Sequence, residues 1–322
     1  MDSAKIGRKV RGVSSRFVQV LPVVVLATVI VFGLLQMVPG DPAMALAGEQ
    51  ATEERIQQIR ELYGFDQPFL VQYWNWLSHA LHGDLSRSLL SGESVTRLIA
   101  QSFPHTLTIV FIALAVSLLV GVPLGILTAT RSGTRTDATI SALSSVGVAL
   151  PNFWLAMILV TFFALRLHWL PATGAGQIGE DFWDAIRHAI LPALALAAAG
   201  IAEVARQLRS ALLEVLSSQY VRTLRAKGLS EARILWQHGL KNTGVNLLTI
   251  IGLLFNRMLG GTVVIEAVFA IPGMGSLIVR AAVNKDFPVV QGVVLSMVLV
   301  VVLTNFIIDM LYSVLDPRVE KT

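Results

Sequence analysis

Six apolar runs dominate this chain of 322 residues, and their lengths suit helices that cross a lipid bilayer. A crossing helix needs about 20 mostly apolar residues, because the hydrocarbon core is about 30 Å thick and a helix rises about 1.5 Å per residue. Charged residues make up only 14% of the chain, against about 25% in soluble domains. The sequence therefore predicts an all-α integral membrane protein with about six transmembrane helices, over residues 17–38, 107–128, 139–165, 190–205, 245–269 and 289–311.

The first run also fits a secretory signal peptide, since basic residues precede it and the sequence Ala45-Leu46-Ala47 resembles a cleavage site. The apolar region of a signal peptide spans about 7–15 residues, whereas this run spans 22. Residues 39–42, rich in proline and glycine, also separate that site from the run. We therefore expect 17–38 to be kept as the first transmembrane helix.

The lysines and arginines between the runs indicate which side of the membrane is cytoplasmic, because short cytoplasmic loops carry an excess of them. Six crossings put both termini on one side. That side holds sixteen basic residues, and the opposite side holds eight over a longer stretch. We therefore expect cytoplasmic segments at 1–16, 206–241 and 313–322, an extracytoplasmic segment at 39–103, and a membrane core over 104–312.

The extracytoplasmic segment 39–103 is expected to carry a helix over 52–63, with Thr52 as its N-cap and two acidic residues in its first turn. Trp74 and Trp76 follow, and tryptophan is enriched at the interface between membrane and water. Two interpretations stay open for this segment. It is either a loop packed on the membrane surface or a docking surface for an external partner.

Motifs that signal enzyme chemistry are missing from the sequence. It contains no phosphate-binding Gly-x-x-x-x-Gly-Lys-Ser/Thr, no zinc-binding His-Glu-x-x-His and no Gly-x-Ser-x-Gly nucleophile elbow. It contains no cysteine, which excludes disulfides and thiolate metal sites. The basic residues are spread through short segments instead of forming the basic face that binds nucleic acid. We expect no catalytic, cofactor-binding or metal-binding residue in this chain, and no nucleic-acid partner.

Arg257 stands near the middle of the apolar run 245–269, where a charge is costly. The neighbouring Asn256 and the Gly260-Gly261 pair favour a helix face buried in protein over one that faces lipid. Arg257 can have a structural partner, a carboxylate or carbonyl on another span or on a second subunit. Alternatively it lines a water-filled pathway, where it could meet a peptide carboxylate or another anionic group.

Residues 219–232 form a polar, basic and helix-prone part of the loop 206–241. A short helix is expected to end at Lys227, with Gly228 as its left-handed cap. Ser230 is expected to cap a second helix, with Glu231 in its first turn. Two short helices with a sharp corner can fit a cleft on a cytoplasmic protein. The residues alone are also compatible with a basic loop that has no partner and only satisfies the charge asymmetry of the membrane.

This part of the loop resembles the coupling loop of permeases in ABC importers, which are driven by ATP-binding cassette ATPases. The form is that of the dipeptide, oligopeptide and nickel permease family, which reads close to Tyr-Val-Arg-Thr-Ala-Arg-Ala-Lys-Gly-Leu-Ser. The present sequence differs mainly by Leu224 at an alanine position, and residues 238–241 replace the Ile-x-Leu-Pro that ends the general motif. Further matches follow in order along nearly the whole chain, at residues 39–43, 63–68, 81–85, 151–154, 169–172, 190–192, 261–266, 269, 272–275 and 315–318.

The resemblance implies the type I fold of ABC importer permeases and a multi-pass location in the inner membrane of a bacterium. It implies three kinds of protein partner, besides membrane lipid: a second, similar permease subunit, two cytoplasmic ABC ATPase subunits, and an extracytoplasmic substrate-binding protein. ATP and Mg²⁺ would be bound by the ATPase subunits, so this chain would need no cofactor. It would form half of the pathway for short peptides or similar small solutes. Nickel and haem-like ligands use similar permeases.

The resemblance also implies roles for particular residues. Contact with the ATPase subunits would fall to Tyr220, Arg222, Thr223, Arg225, Ala226, Lys227, Gly228, Leu229, Ser230 and Glu231. The candidates for the pathway or an external gate are Asn256, Arg257, Glu266, Pro272 and Gly273. The residues leave two other classes of protein open, an ion-coupled secondary transporter and a membrane-embedded enzyme or scaffold. Uptake driven by an ion gradient, or turnover of a lipid by the chain alone, would favour them.

Overall fold

The computed structural model describes residues 22, 24–33, 42–47, 51–176 and 181–315 of the chain, and these are almost entirely helical. The helices are α1 (Val24–Gly33), α2 (Pro42–Ala47), α3 (Glu53–Tyr63), α4 (Phe69–Leu81), α5 (Val95–Thr130), α6 (Arg135–Ala149), α7 (Asn152–Leu159), α8 (Phe182–Ser217), α9 (Gln219–Ala226), α10 (Glu231–Arg233), α11 (Leu240–Val268), α12 (Met274–Val283) and α13 (Phe287–Leu315). Two π-helical stretches continue α7 and α10, over Val160–Arg166 and Ile234–Gly239. Within the described ranges, the one pairing of extended backbone is an isolated bridge between Arg87 and Ser94.

Four described helices are long and apolar enough to cross a membrane, and they extend over Val95–Thr130, Phe182–Ser217, Glu231–Val268 and Phe287–Tyr312. They contain the second, fourth and sixth predicted runs, and the fifth run except for its last residue, Phe269. The first run, 17–38, is described only at residue 22 and in α1. The count of six crossings therefore stays a prediction. Residues 1–16 and 316–322 lie outside the described residues, so the side on which each terminus lies is a prediction as well.

The third predicted run, 139–165, is not one straight helix. Its two halves, Arg135–Ala149 and Asn152–Arg166, meet at an angle of 97°. The break follows from Pro151, which has no N–H to donate and disfavours the helical conformation of the residue before it. Leu150 accordingly has extended backbone, with ψ of 125°. The pair forms one broken span or a re-entrant loop.

The chain divides into two compact units, of which the first comprises residues up to Phe103 together with Ser276–Phe306. In this unit the rings of Phe32, Tyr73 and Trp76 pack between α1 and α4. Thr52 caps α3 as predicted, since its hydroxyl accepts a hydrogen bond from the Arg55 N–H. Buried Asp286 accepts a 2.5 Å hydrogen bond from the hydroxyl of Ser88.

The second unit comprises Pro104–Gly275 and the chain from Ile307 onwards, and α8 is its central helix. Helix α5 approaches α8 closely because glycines face it: a Cβ on Gly121 or Gly125 would lie 2.9 Å from a backbone oxygen of α8. On α8, a Cβ on Gly200 would lie 2.4 Å from the hydroxyl of Ser117. Small residues allow this approach, which maximises van der Waals packing in a membrane, where lipid is as apolar as the side chains.

Candidate functional site

The predicted corner between two short helices is present, and local hydrogen bonds explain it. Ser218 caps the start of α9 by accepting a hydrogen bond from the N–H of Val221. Helix α9 ends at Ala226, and Gly228 then has φ of +80°, a left-handed conformation that costs little only for glycine. Ser230 caps the next helix through the N–H of Arg233, with Glu231 in the first turn. We call residues 218–239 the corner segment.

An ion pair joins the two arms of the corner segment. Arg225 Nε lies 2.7 Å from Glu231 Oε1, and Arg225 Nη2 lies 3.1 Å from Glu231 Oε2, so the pair is bidentate. Hydrogen bonds to this carboxylate raise the pKa of the Arg225 guanidinium, because they favour its charged form. Two parallel hydrogen bonds restrict the relative orientation of the groups more than a single contact does. The pair therefore links α9 to α10 across the corner.

The inner face of the corner segment is anchored in the core of the second unit. Val221 and Ile234 are fully buried, and Leu235 packs against a cluster formed by Leu208 and Leu212 of α8. The outer face is open, since Arg222, Thr223, Arg225, Ala226, Lys227, Gly228, Ser230 and Glu231 are exposed and Leu229 is half-buried. With this arrangement, a displacement of the open face can be transmitted to α8 and α11.

A second contact joins the two ends of the corner segment. The hydroxyl of Tyr220 lies 2.8 Å from Nδ1 of His238, and the two rings meet edge to face. Tyr220 is the second residue of α9, and His238 belongs to the π-helical stretch before α11. The sequence pattern placed Tyr220 in this segment but gave His238 no role, because the two residues lie 18 positions apart and no local pattern predicts their contact.

Arg257 of α11 forms an ion pair with Glu203 of α8, and this pair links the two helices near the middle of α11. The Arg257 side chain is 64% exposed, whereas the Glu203 side chain is only 11% exposed. The amide of Gln207 donates a 2.9 Å hydrogen bond to the other carboxylate oxygen of Glu203. This is one of the two kinds of partner that the sequence left open, a carboxylate on another span. Glu203 lies near the end of the predicted span 190–205, and the structure buries it.

Glu266 lies in a buried network at the end of α11. Its side chain is fully buried, and Oε1 accepts a 2.6 Å hydrogen bond from the hydroxyl of Thr106. That hydroxyl in turn accepts a 2.8 Å hydrogen bond from the N–H of Met274. Gly273 packs directly on the carboxylate, while Pro272 is exposed. Glu266 therefore connects α5 with the turn between α11 and α12, and its role in an external gate stays a prediction.

The predicted pathway residues do not form a single cluster. Asn256 and Arg257 lie mid-way along α11, and Glu266 lies nine residues beyond Arg257, a distance of about 13 Å along a helix.

An ion pair between α6 and α8 was not predicted from the sequence. Arg209 makes two 2.8 Å contacts with the nearly buried carboxylate of Asp137. One feature of the sequence could have predicted this pair: Asp137 is an acidic residue in the first turn of a helix, on the cytoplasmic side where basic residues are in excess.

Comparison with sequence families gives matches that together cover most of the chain. The profile of the family described as "Binding-protein-dependent transport system inner membrane component" matches residues 121–321. A second profile, for the N-terminal part of membrane components of such systems, matches residues 10–110.

Individual proteins match over nearly their full length. The chain is 39% identical to a peptide transport system permease protein of Brucella abortus, over 95% of this chain and 97% of that protein. It is 36% identical to the oligopeptide transport system permease protein AppB of Bacillus subtilis, over 93% of this chain and 96% of that protein. It is 37% identical to the glutathione transport system permease protein GsiC of Salmonella choleraesuis, over 96% of this chain and 98% of that protein.

Among solved structures, the fold is similar to a chain of the methionine ABC transporter MetNI in inward-facing conformations. The TM-score is 0.57, and the alignment covers 68% of this chain and 96% of that chain. Sequence identity over the alignment is 19%, so this likeness concerns the fold alone. No relative or structure in these comparisons supports an ion-coupled transporter or a membrane enzyme.

Proposed function

This chain belongs to the family of inner membrane components of binding-protein-dependent transport systems, and from that premise we propose how it works and what it carries. It is a permease subunit of an ABC importer, located in the inner membrane. We propose that it forms half of a translocation pathway for short peptides. Relatives named as peptide, oligopeptide and glutathione permeases, at 36–39% identity, support this substrate class.

The observation that carries the proposal is the corner segment, with its anchored inner face and its open outer face. We propose that the open face sits in a cleft of a cytoplasmic ABC ATPase. When the ATPases close on ATP, they would displace the corner as a rigid body, because the ion pair between Arg225 and Glu231 resists a change of its angle. The buried contacts of Val221 and Ile234 would pass that displacement to the membrane helices.

We further propose the composition of the assembly. One copy of this chain would pair with a second, similar permease subunit, above two cytoplasmic ATPase subunits that hold ATP and Mg²⁺. An extracytoplasmic binding protein would deliver the peptide, and residues 39–103 would receive it. The exposed side chains of Leu70 and Trp74 on α4 give that segment an apolar surface that suits contact with lipid or with a protein.

Reconstitution tests this function directly. The chain would be purified with its partner permease and ATPases, placed in liposomes and supplied with the binding protein and a labelled dipeptide. We expect uptake that requires ATP, all four subunits and the binding protein. Uptake should stop in a control complex whose ATPase subunits bind ATP but do not hydrolyse it. Uptake that follows a proton or sodium gradient without ATP would refute the proposal.

A further inference from the structure

Arg257 carries a charge at the midpoint of the predicted span 245–269, and most of its side chain is exposed. The exposed fraction of 64% is high for a residue of a membrane helix, where a charge that faces lipid is strongly disfavoured. Arg257 must therefore face protein or water in the assembled transporter. The local structure indicates which.

The exposed face of α11 around Arg257 is more polar than a surface in lipid. At helical spacing it presents Asn246, Thr249, Leu253, Gly260 and Val264, of which Leu253 and Val264 are large apolar residues. The exposed residues of α13 at similar spacing are instead Leu299, Leu303, Ile307 and Leu311, as expected of a surface in lipid. The α11 face is thus more polar than the exposed face of α13, and this difference together with the charge of Arg257 suits a surface that borders a water-filled pathway.

Glu203 holds the guanidinium of Arg257 from one side only. The ion pair uses Nη1 of Arg257, and among the described residues no other side chain is hydrogen bonded to this guanidinium. A guanidinium has five N–H donors in a planar fork that matches a carboxylate, so Nε and Nη2 can hold a second one. Gln207 fixes the Glu203 carboxylate through a 2.9 Å hydrogen bond, which leaves Arg257 little freedom to turn away.

We propose that Arg257 binds the carboxylate at the C-terminus of the peptide as it passes, and that Glu203 is the positioning residue for Arg257. The proposal rests on the proposed function, since it requires a peptide substrate. The pair suits a transporter because a ligand must also leave. A guanidinium that is already paired with Glu203 attracts a second carboxylate less strongly than an isolated guanidinium does. The Arg257 site thus favours peptides with a free C-terminus without trapping them.

The test compares a dipeptide that has a free C-terminal carboxylate with the same dipeptide as its C-terminal amide. Uptake by each variant is divided by uptake by the parental complex for the same peptide, so that any preference of the binding protein cancels. For Arg257→Gln we expect the ratio for the free acid to fall by about tenfold, as for loss of a charged hydrogen bond, and the ratio for the amide to stay near the parental value. Arg257→Lys should retain most of the uptake of the free acid.

A matched control lies on the same face of α11. Leu253→Gln introduces the same side chain near Arg257 without removing a charge, and it should leave the ratio between the two peptides unchanged. The exchange Glu203→Arg with Arg257→Glu retains an ion pair of opposite direction. We expect that double variant to assemble but to lose the preference for the free acid.

A second measurement does not depend on the binding protein. Saturation-transfer NMR of both dipeptides with the purified permease–ATPase complex should show stronger contact for the free acid, and Arg257→Gln should remove that difference. Equal loss of uptake for both peptides, or unchanged uptake of both, would overturn the role of Arg257 while leaving the peptide importer intact. Full recovery of free-acid uptake in the exchanged pair would assign Arg257 a structural role only. A parental complex that carries no peptide at all would refute the proposed function itself.

Discussion

The hydroxyl of Thr106 donates a 2.6 Å hydrogen bond to the carboxylate of Glu266, which lies 160 residues further along the chain. Both side chains are fully buried. The same hydroxyl accepts a hydrogen bond from the N–H of Met274, so one oxygen joins α5, the end of α11 and the start of α12.

Thr106→Val should destabilise the protein, because it keeps the shape of the side chain but leaves a buried carboxylate without one donor. The expected loss is about 1–3 kcal/mol, the usual cost of an unsatisfied buried polar group. Thermal unfolding of the purified complex should show a lower melting temperature. Thr106→Ser keeps the hydroxyl and should melt closer to the parental protein. Equal melting temperatures for the valine and serine variants would argue against the importance of this hydrogen bond.

Gly273→Ala should impair folding, although the substitution adds only one methyl group. A Cβ at this position would lie 2.4 Å from Cδ and Oε1 of Glu266, so the turn or the carboxylate has to move. Gly244→Ala is the matched control, since a Cβ there meets nothing within 4 Å and the residue lies in α11. Alanine favours a helix over glycine by about 0.5–1 kcal/mol, so the control should be neutral or slightly stabilising. In size-exclusion profiles, we expect a smaller amount of folded protein for Gly273→Ala than for Gly244→Ala. A larger amount for Gly273→Ala would contradict the close packing of Gly273 on Glu266.

Gly228→Val should uncouple ATP hydrolysis from transport. Gly228 has φ of +80° and a Cβ there meets nothing within 4 Å, so the effect of valine is backbone strain of about 1–2 kcal/mol. Gly133 has the same φ and the same open surroundings in the turn before α6. We expect both variants to insert normally, but only Gly228→Val to lose ATPase stimulation by loaded binding protein. If Gly228→Val transports at the parental rate, the corner segment is not the coupling element.

Arg225→Glu should weaken association with the ATPase subunits far more than it affects folding. The ion pair with Glu231 is exposed, and exposed pairs contribute little to stability. Repulsion from Glu231 should instead open the corner that the ATPase recognises. The double variant Arg225→Glu with Glu231→Arg restores an ion pair, and it should recover part of the co-purified ATPase. Equal co-purification with both variants and the parent would show that the angle of the corner does not matter.

The orientation in the membrane can be read by thiol labelling, because the chain contains no cysteine. Ser91→Cys lies in the predicted extracytoplasmic segment and should react with an impermeant reagent in intact cells. Lys227→Cys is an exposed position of the corner segment and should react only after the membrane is opened. The reversed pattern would place the corner segment outside, where no ATPase could reach it.

Local features of this protein followed from its sequence alone. The caps at Thr52 and Ser230 and the left-handed Gly228 were predictable, since each depends on interactions within about four residues. The membrane class followed from the apolar runs, because the thickness of the bilayer sets the length that a crossing helix needs. The permease family likewise followed from the order of the matching motifs along the chain.

Partners that are distant in sequence were decided by the tertiary structure. Arg257 was expected to have a carboxylate partner or a pathway role, but its pairing with Glu203, 54 residues away, depends on how α8 and α11 pack. Glu266 remains a candidate gate residue, and only the packing of the turn after α11 shows that it is buried beneath Gly273. The run that contains Pro151 was expected to be one span, and it bends by 97°. The sequence of a helix determines which of its side chains share a face. The rotation of the helix and its position relative to neighbouring helices are determined only when all of them pack together.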